Sequence, residues 1–165
     1  MVWGNVPAGA YTITARSPST RFASFVATCK PGRVVNANPP WGLHELGLRN
    51  PVKIAAAWSV RGAQASLGSL TARNLPAKAV VRVRCTGPAC PFATKTVTPG
   101  SRTANLRAAL GSKGAALRAG QTLEVTVTAH TYDGTVVQWP IRSGSTPRPT
   151  TSCVPLGNTK PRPRC

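Results

Sequence analysis

Apolar and polar residues alternate over short stretches along most of the chain, separated by turn signals at Gly, Pro or Asn. In the first part these are Ala10–Ala15, Phe22–Thr28 and Arg33–Ala37. Pro7-Ala8-Gly9, Ser17-Pro18 and Pro31-Gly32 supply the turns, because Pro presets φ and Gly accepts the positive φ that a type II turn needs. The alternation resumes at Lys53–Val60, Ala65–Ala72, Ala79–Cys85, Phe92–Thr98, Leu123–Thr128 and Val136–Ile141. Period-2 runs of this length predict half-buried strands. In Ala79–Cys85, Val81, Val83 and Cys85 fall on one face and Arg82 and Arg84 on the other, which predicts a dry side and a basic, wet side.

Two stretches break the pattern. Residues 38–51 hold three prolines and two glycines and cannot form a long regular element, so they read as a semi-rigid linker with Trp41, Leu43, Leu46 and Leu48 able to pack on a neighbour. Thr103–Leu117 places Leu106, Leu110 and Leu117 at near-helical spacing, but Gly111 and Gly114 limit it to a short helix or loop. The predicted fold class is all-β. An antiparallel Ig-like sandwich over 52–143 is preceded by the last strands of a second β module at 1–37 and followed by a Pro/Arg-rich, disulfide-clipped tail at 144–165.

Gly4-Asn5-Val6-Pro7-Ala8-Gly9-Ala10-Tyr11-Thr12-Ile13 resembles the final hairpin of carboxypeptidase-regulatory-like modules of the prealbumin-like or Cna-B type. The resemblance covers about the first forty residues. From residue 52, the C-x4-C-P-F pattern at Cys85–Phe92, the L-x-x-G-x-x-L-x-V pattern at Leu117–Val125 and the Cys-bearing proline-rich end resemble terminal modules of secreted actinobacterial proteins. It implies an extracellular or cell-surface location and a non-catalytic role, with further domains upstream in the same polypeptide.

Composition sharpens this picture. Only Glu45, Glu124 and Asp133 oppose 21 Lys and Arg, giving a net charge of +18 that attracts polyanions and repels itself. No run approaches the roughly 18 apolar residues of a bilayer span, so a transmembrane helix is excluded. The first residues lack the basic start and apolar stretch of a signal peptide. Five cysteines nevertheless form two close pairs, Cys85 with Cys90 and Cys153 with Cys165, whose spacing reads as local disulfides in an oxidising compartment. The expectation is therefore an export signal upstream of residue 1. Cys29 is left over, either as a thiol made reactive by Lys30 or as the partner of a cysteine upstream.

Catalytic chemistry finds little support. The three acids fall in the linker, a strand and a turn, so no carboxylate pair suits glycoside hydrolysis. His130 and Asp133 are the nearest approach to a base and its orienting acid, yet they read more simply as a strand end and an Asp-Gly turn. The cysteine spacing does not fit a zinc knuckle, and no cofactor or metal is expected. Arginines on the predicted sandwich, Arg82, Arg84, Arg102, Arg107, Arg118 and Arg142, are the candidate polyanion contacts. The partners expected are anionic wall polymers or polysaccharides, with nucleic acid bound only nonspecifically because no nucleic-acid-binding motif is present. A module specific for one polyanion is the alternative function, and a hydrolase the remote one.

Overall fold

A computed structural model of the protein describes residues 7–14, 21–22, 25–29, 45–46 and 49–164. The chain divides into two compact units, Met1–Leu48 and Arg49–Cys165. The first contains β1 (Gly9–Ile13), β2 (Arg21–Phe22), β3 (Phe25–Cys29) and β4 (Glu45–Leu46). β1 pairs antiparallel with β3, and β2 with β4. The Tyr11 hydroxyl donates to the Pro7 carbonyl at 3.0 Å, so this tyrosine ties the strand back to its own entry turn. The expected strand at 33–37 lies outside the described residues. Within the segment expected to be a linker, Glu45–Leu46 pairs inside the first unit, and the two units part between Leu48 and Arg49.

The second unit is an antiparallel β-sandwich. Its strands, in chain order, are β5 (Lys53–Arg61), β6 (Gln64–Arg73), β7 (Val80–Thr86), β8 (Thr94–Val97), β9 (Thr103–Asn105), β10 (Ala116–Arg118), β11 (Thr122–Thr128), β12 (Gly134–Pro140) and β13 (Thr150–Val154). The short helix α1 (Leu106–Ala109) and a 3-10 turn (Lys113–Ala115) stand between β9 and β10. One sheet runs β10-β6-β5, with β9 also pairing with β6; the other runs β13-β12-β11-β7-β8. We refer to them as the small and the large sheet.

A bulge in β6 explains how two short strands share one of its edges. Apolar side chains point inward at Ala65 and Leu67, then at Leu70 and Ala72, a step of three that strict alternation forbids. The register against β5 shifts at this point, from Trp58 opposite Leu67 to Ala57 opposite Ser69, leaving Gly68 as the extra residue. One inserted residue restores the inward phase and bends the strand. β10 pairs before the bulge and β9 after it.

The two sheets close on a single core. Leu67 and Leu70 of the small sheet meet Val81, Val83, Leu123, Val125, Val127 and Trp139 of the large one. Leu75, Leu106, Leu110 and Leu117 belong to the same cluster, so the three leucines of the ambiguous 103–117 stretch are all core residues. Each such side chain contributes about 1.5–3 kcal/mol on burial. The six predicted strands of this unit are all present.

The C-terminal segment departs from the expected tail. Thr150–Val154 is the fifth strand of the large sheet, paired with β12 from Gln138 to Gly134. Cys153 and Arg162 then exchange backbone hydrogen bonds of 2.8 and 2.7 Å, folding the chain back against β13. Thr and Ser can supply a strand here without an apolar stripe, because β12 already brings the core residues and an edge strand needs only ladder bonds. Low hydrophobicity therefore concealed it.

Candidate anion-binding faces

The outward face of the large sheet carries two continuous cross-strand rows. Thr94, Arg84, Glu124, Gln138 and Thr150 form one, and Thr96, Arg82, Thr126, Val136 and Ser152 the other, with Val136 buried. Arg82 and Arg84 are exposed while Val81, Val83 and Cys85 are buried, as the alternation predicts. The two arginines are not equivalent. Arg84 Nε stands 3.6 Å from the Glu124 carboxylate, whose other oxygen accepts from Gln138 Nε2 at 2.7 Å. Arg82 faces Thr126, so its charge has no carboxylate across the strand.

The outward face of the small sheet is basic without any acid. None of β5, β6, β9 or β10 contains Asp or Glu. Lys53 lies directly opposite Arg73, which in turn lies opposite Thr103. At the other end, Arg61 and Arg118 flank Gln64. All four cationic side chains are exposed. Between the two ends the same face carries Ala55, Ala57, Ser59, Ser66, Ser69 and Thr71, which are too short to obstruct a ligand lying flat. The ends are eight residues apart on β5, roughly 26 Å at strand rise.

The six arginines singled out from the sequence thus do not form one patch. Arg82 and Arg84 lie on the outer face of the large sheet, and Arg118 on that of the small one. Arg102 immediately precedes β9, and Arg142 follows β12 and bridges to Ser145. Arg107 is committed to the fold: its Nε donates to the Leu67 carbonyl at 2.8 Å and its Nη1 to the Gly111 carbonyl at 2.8 Å, fastening α1 to β6. Arg61 and Arg73 fall just outside the stretches expected as strands, Lys53–Val60 and Ala65–Ala72, and the place of Lys53 opposite Arg73 is set by strand pairing, which alternation along one strand does not reveal.

Cys85, Cys90, Cys153 and Asp133 have structural partners. Cys85 and Cys90 form a disulfide with 2.06 Å between the sulfurs. Cys153 is also disulfide-bonded, and the expected partner, Cys165, lies outside the described residues. Asp133 is buried and its Oδ1 accepts the N–H of Leu156 at 3.0 Å, which anchors the C-terminal loop. His130 is exposed, and no hydrogen bond or ion pair joins it to Asp133 among the described residues. Among those residues there is no group of three or more His, Cys, Asp or Glu that could hold a metal, and no helix is long and apolar enough to cross a membrane. Comparison with protein-family models, with curated proteins and with solved structures finds no match.

Proposed function

We propose that this chain is a non-catalytic, extracellular structural or adhesive module that contacts anionic wall polymers through the outer face of its small sheet. The observation that carries the reading is the acid-free face on which Lys53 and Arg73 stand directly opposite each other. Like charges across a strand pair are destabilising, and a polyanion laid over them removes that repulsion. The two basic ends give a linear polymer two points of attachment, and the small residues between them let it lie close. The Cys85–Cys90 disulfide supports an oxidising location. The sequence resemblance to secreted surface modules belongs to the same reading.

Retention of the full chain on a purified phosphodiester wall polymer tests it. Arg73→Gln with Arg118→Gln should weaken binding at physiological salt and flatten its salt dependence, since fewer counterions are released. Arg107→Gln should not be used as a control, because that side chain holds α1 in place. Equal retention of wild type and double variant would sink the proposal. Selective binding to one polymer across a panel would instead establish a specific receptor.

A further inference from the structure

A second feature of the small sheet concerns its edge, not its face, and stands independently of polymer binding. β5 is a terminal strand of nine residues, and no strand pairs with its other side among the described residues. Its inward residues Ile54, Ala56, Trp58 and Val60 pack against the core but are only partly buried, as they would be where the apolar layer ends at a sheet edge. The hairpin to β6 has a two-residue loop, Gly62-Ala63, with Gly62 at φ +58°. Such a loop makes the flanking pair, Arg61 and Gln64, a hydrogen-bonded one. Alternation then turns the backbone N–H and C=O groups of Val60, Trp58, Ala56 and Ile54 toward the open side.

Natural edges of this length are guarded by inward charges, prolines or bulges. Here the bulge lies in β6 and leaves β5 regular, and β5 has no proline. Its charges are confined to the two ends, Lys53 and Arg61, on the outward face. Those charges select the occupant. A second copy of β5 arriving antiparallel in full register would set Lys53 against Arg61 at both ends, which like-charge repulsion disfavours. An extended segment with an acidic residue at each end, eight positions apart, sets a carboxylate against each cation. Because eight is even, both acids fall on the outward face, and the odd positions between them fall beside Ile54, Ala56, Trp58 and Val60.

We infer that β5 accepts an added strand from another polypeptide, with acidic residues eight apart and β-branched or apolar residues at alternate positions between them. The pattern reads the same in both directions, so it does not depend on strand polarity. Main-chain pairing supplies affinity, and the two end charges supply selectivity.

The probe is the peptide Glu-Val-Thr-Val-Thr-Val-Thr-Val-Glu, with a control in which both Glu are Lys, titrated into the full chain. The acidic peptide should bind about tenfold more tightly than the control, since two cross-strand pairs change from opposite to like charge. It should slow amide exchange at Ile54, Ala56, Trp58 and Val60 and not along β8 or β13. Lys53→Glu with Arg61→Glu should invert the preference, a change confined to exposed side chains that keeps the fold. Ala56→Pro removes a backbone donor on the open side of β5 and should abolish binding of both peptides. Arg73→Gln with Arg118→Gln, which weakens polymer binding, should leave peptide affinity within about twofold, because those side chains stand one and two strands in from the edge. Absence of binding, an unchanged preference in the charge-reversed variant, or protection appearing at another edge would overturn the inference.

Discussion

Arg84 and Glu124 face each other across β7 and β11, 3.6 Å apart, and the amide of Gln138 holds the carboxylate from the opposite strand. This small network neutralises the one acid on the outer face of the large sheet and takes one of its two arginines out of play. With Arg84 about half exposed, the pair itself stabilises the fold by less than about 1 kcal/mol.

Glu124→Gln should therefore leave stability nearly unchanged while freeing Arg84, and retention on an anionic polymer should rise. Arg84→Gln should lower retention less than Arg73→Gln does, because the charge it removes is already compensated by Glu124. Salt-gradient elution of the three variants ranks them. A loss on Arg84→Gln equal to that on Arg73→Gln would show that the large sheet takes as large a part in the contact as the small one.

Gln121 supports the turn that carries Arg118 to its place. It is 2% exposed; its Oε1 accepts the N–H of Arg118 at 2.8 Å and its Nε2 donates to the Pro88 carbonyl at 2.7 Å. The disulfide loop is thereby fastened to the entry of β11. Gln121→Leu strands both backbone groups and should cost about 1–3 kcal/mol in urea unfolding. Gly87→Ala should be comparably harmful, since Gly87 sits at φ +109° and a Cβ there would meet the Gly120 carbonyl oxygen at 2.5 Å.

Thr131 adopts φ +69° in the β11–β12 connection, a left-handed conformation that a β-branched residue enters only at a cost. The turn is closed by the N–H of Tyr132 donating to the Ala129 carbonyl at 3.2 Å, so the surroundings enforce it. Thr131→Gly should stabilise the protein by about 0.5–1 kcal/mol, the relief of strain exceeding the added freedom of the unfolded chain. Thermal unfolding checks the sign, and a lower midpoint would mean that the Thr131 side chain makes a contribution larger than the strain.

Much of the sandwich was legible because period-2 alternation is a direct record of one dry and one wet face. Val81, Val83 and Cys85 went inward and Arg82 and Arg84 outward as the spacing requires. The step of three between Leu67 and Leu70 was equally present in the sequence, but a run that is apolar on both sides of a glycine looks uniform until its phase is followed residue by residue. β13 was illegible for a different reason: Thr150-Thr-Ser-Cys-Val154 buries little, and its pairing is decided by the open edge of β12, not by its own side chains. The basic face of the small sheet was hidden because it is a property of pairing. Lys53 and Arg73 are twenty residues apart in the chain, and nothing local to either announces that β5 and β6 set them opposite.

That pair also makes the last prediction, in which stability and binding move in opposite directions. Lys53 and Arg73 face each other with Thr103 beyond and no acid on any strand of the sheet. Their repulsion acts in the folded state, where the register holds them together, and fades in the unfolded chain. Arg73→Thr removes it and replaces the arginine with a residue suited to a strand, so the variant should be more stable than wild type by about 0.5 kcal/mol at low salt. Added salt screens the wild-type repulsion over a Debye length of about 10 Å at 0.1 M, so the stability gap should narrow as salt rises. Retention on anionic polymer should fall in the same variant. A residue held for fold stability would give the reverse result, with Arg73→Thr less stable at every salt concentration. Paired urea unfolding and polymer retention, each at low and physiological salt, separate the two outcomes, and a stability gap that ignores salt would remove the electrostatic account of this face.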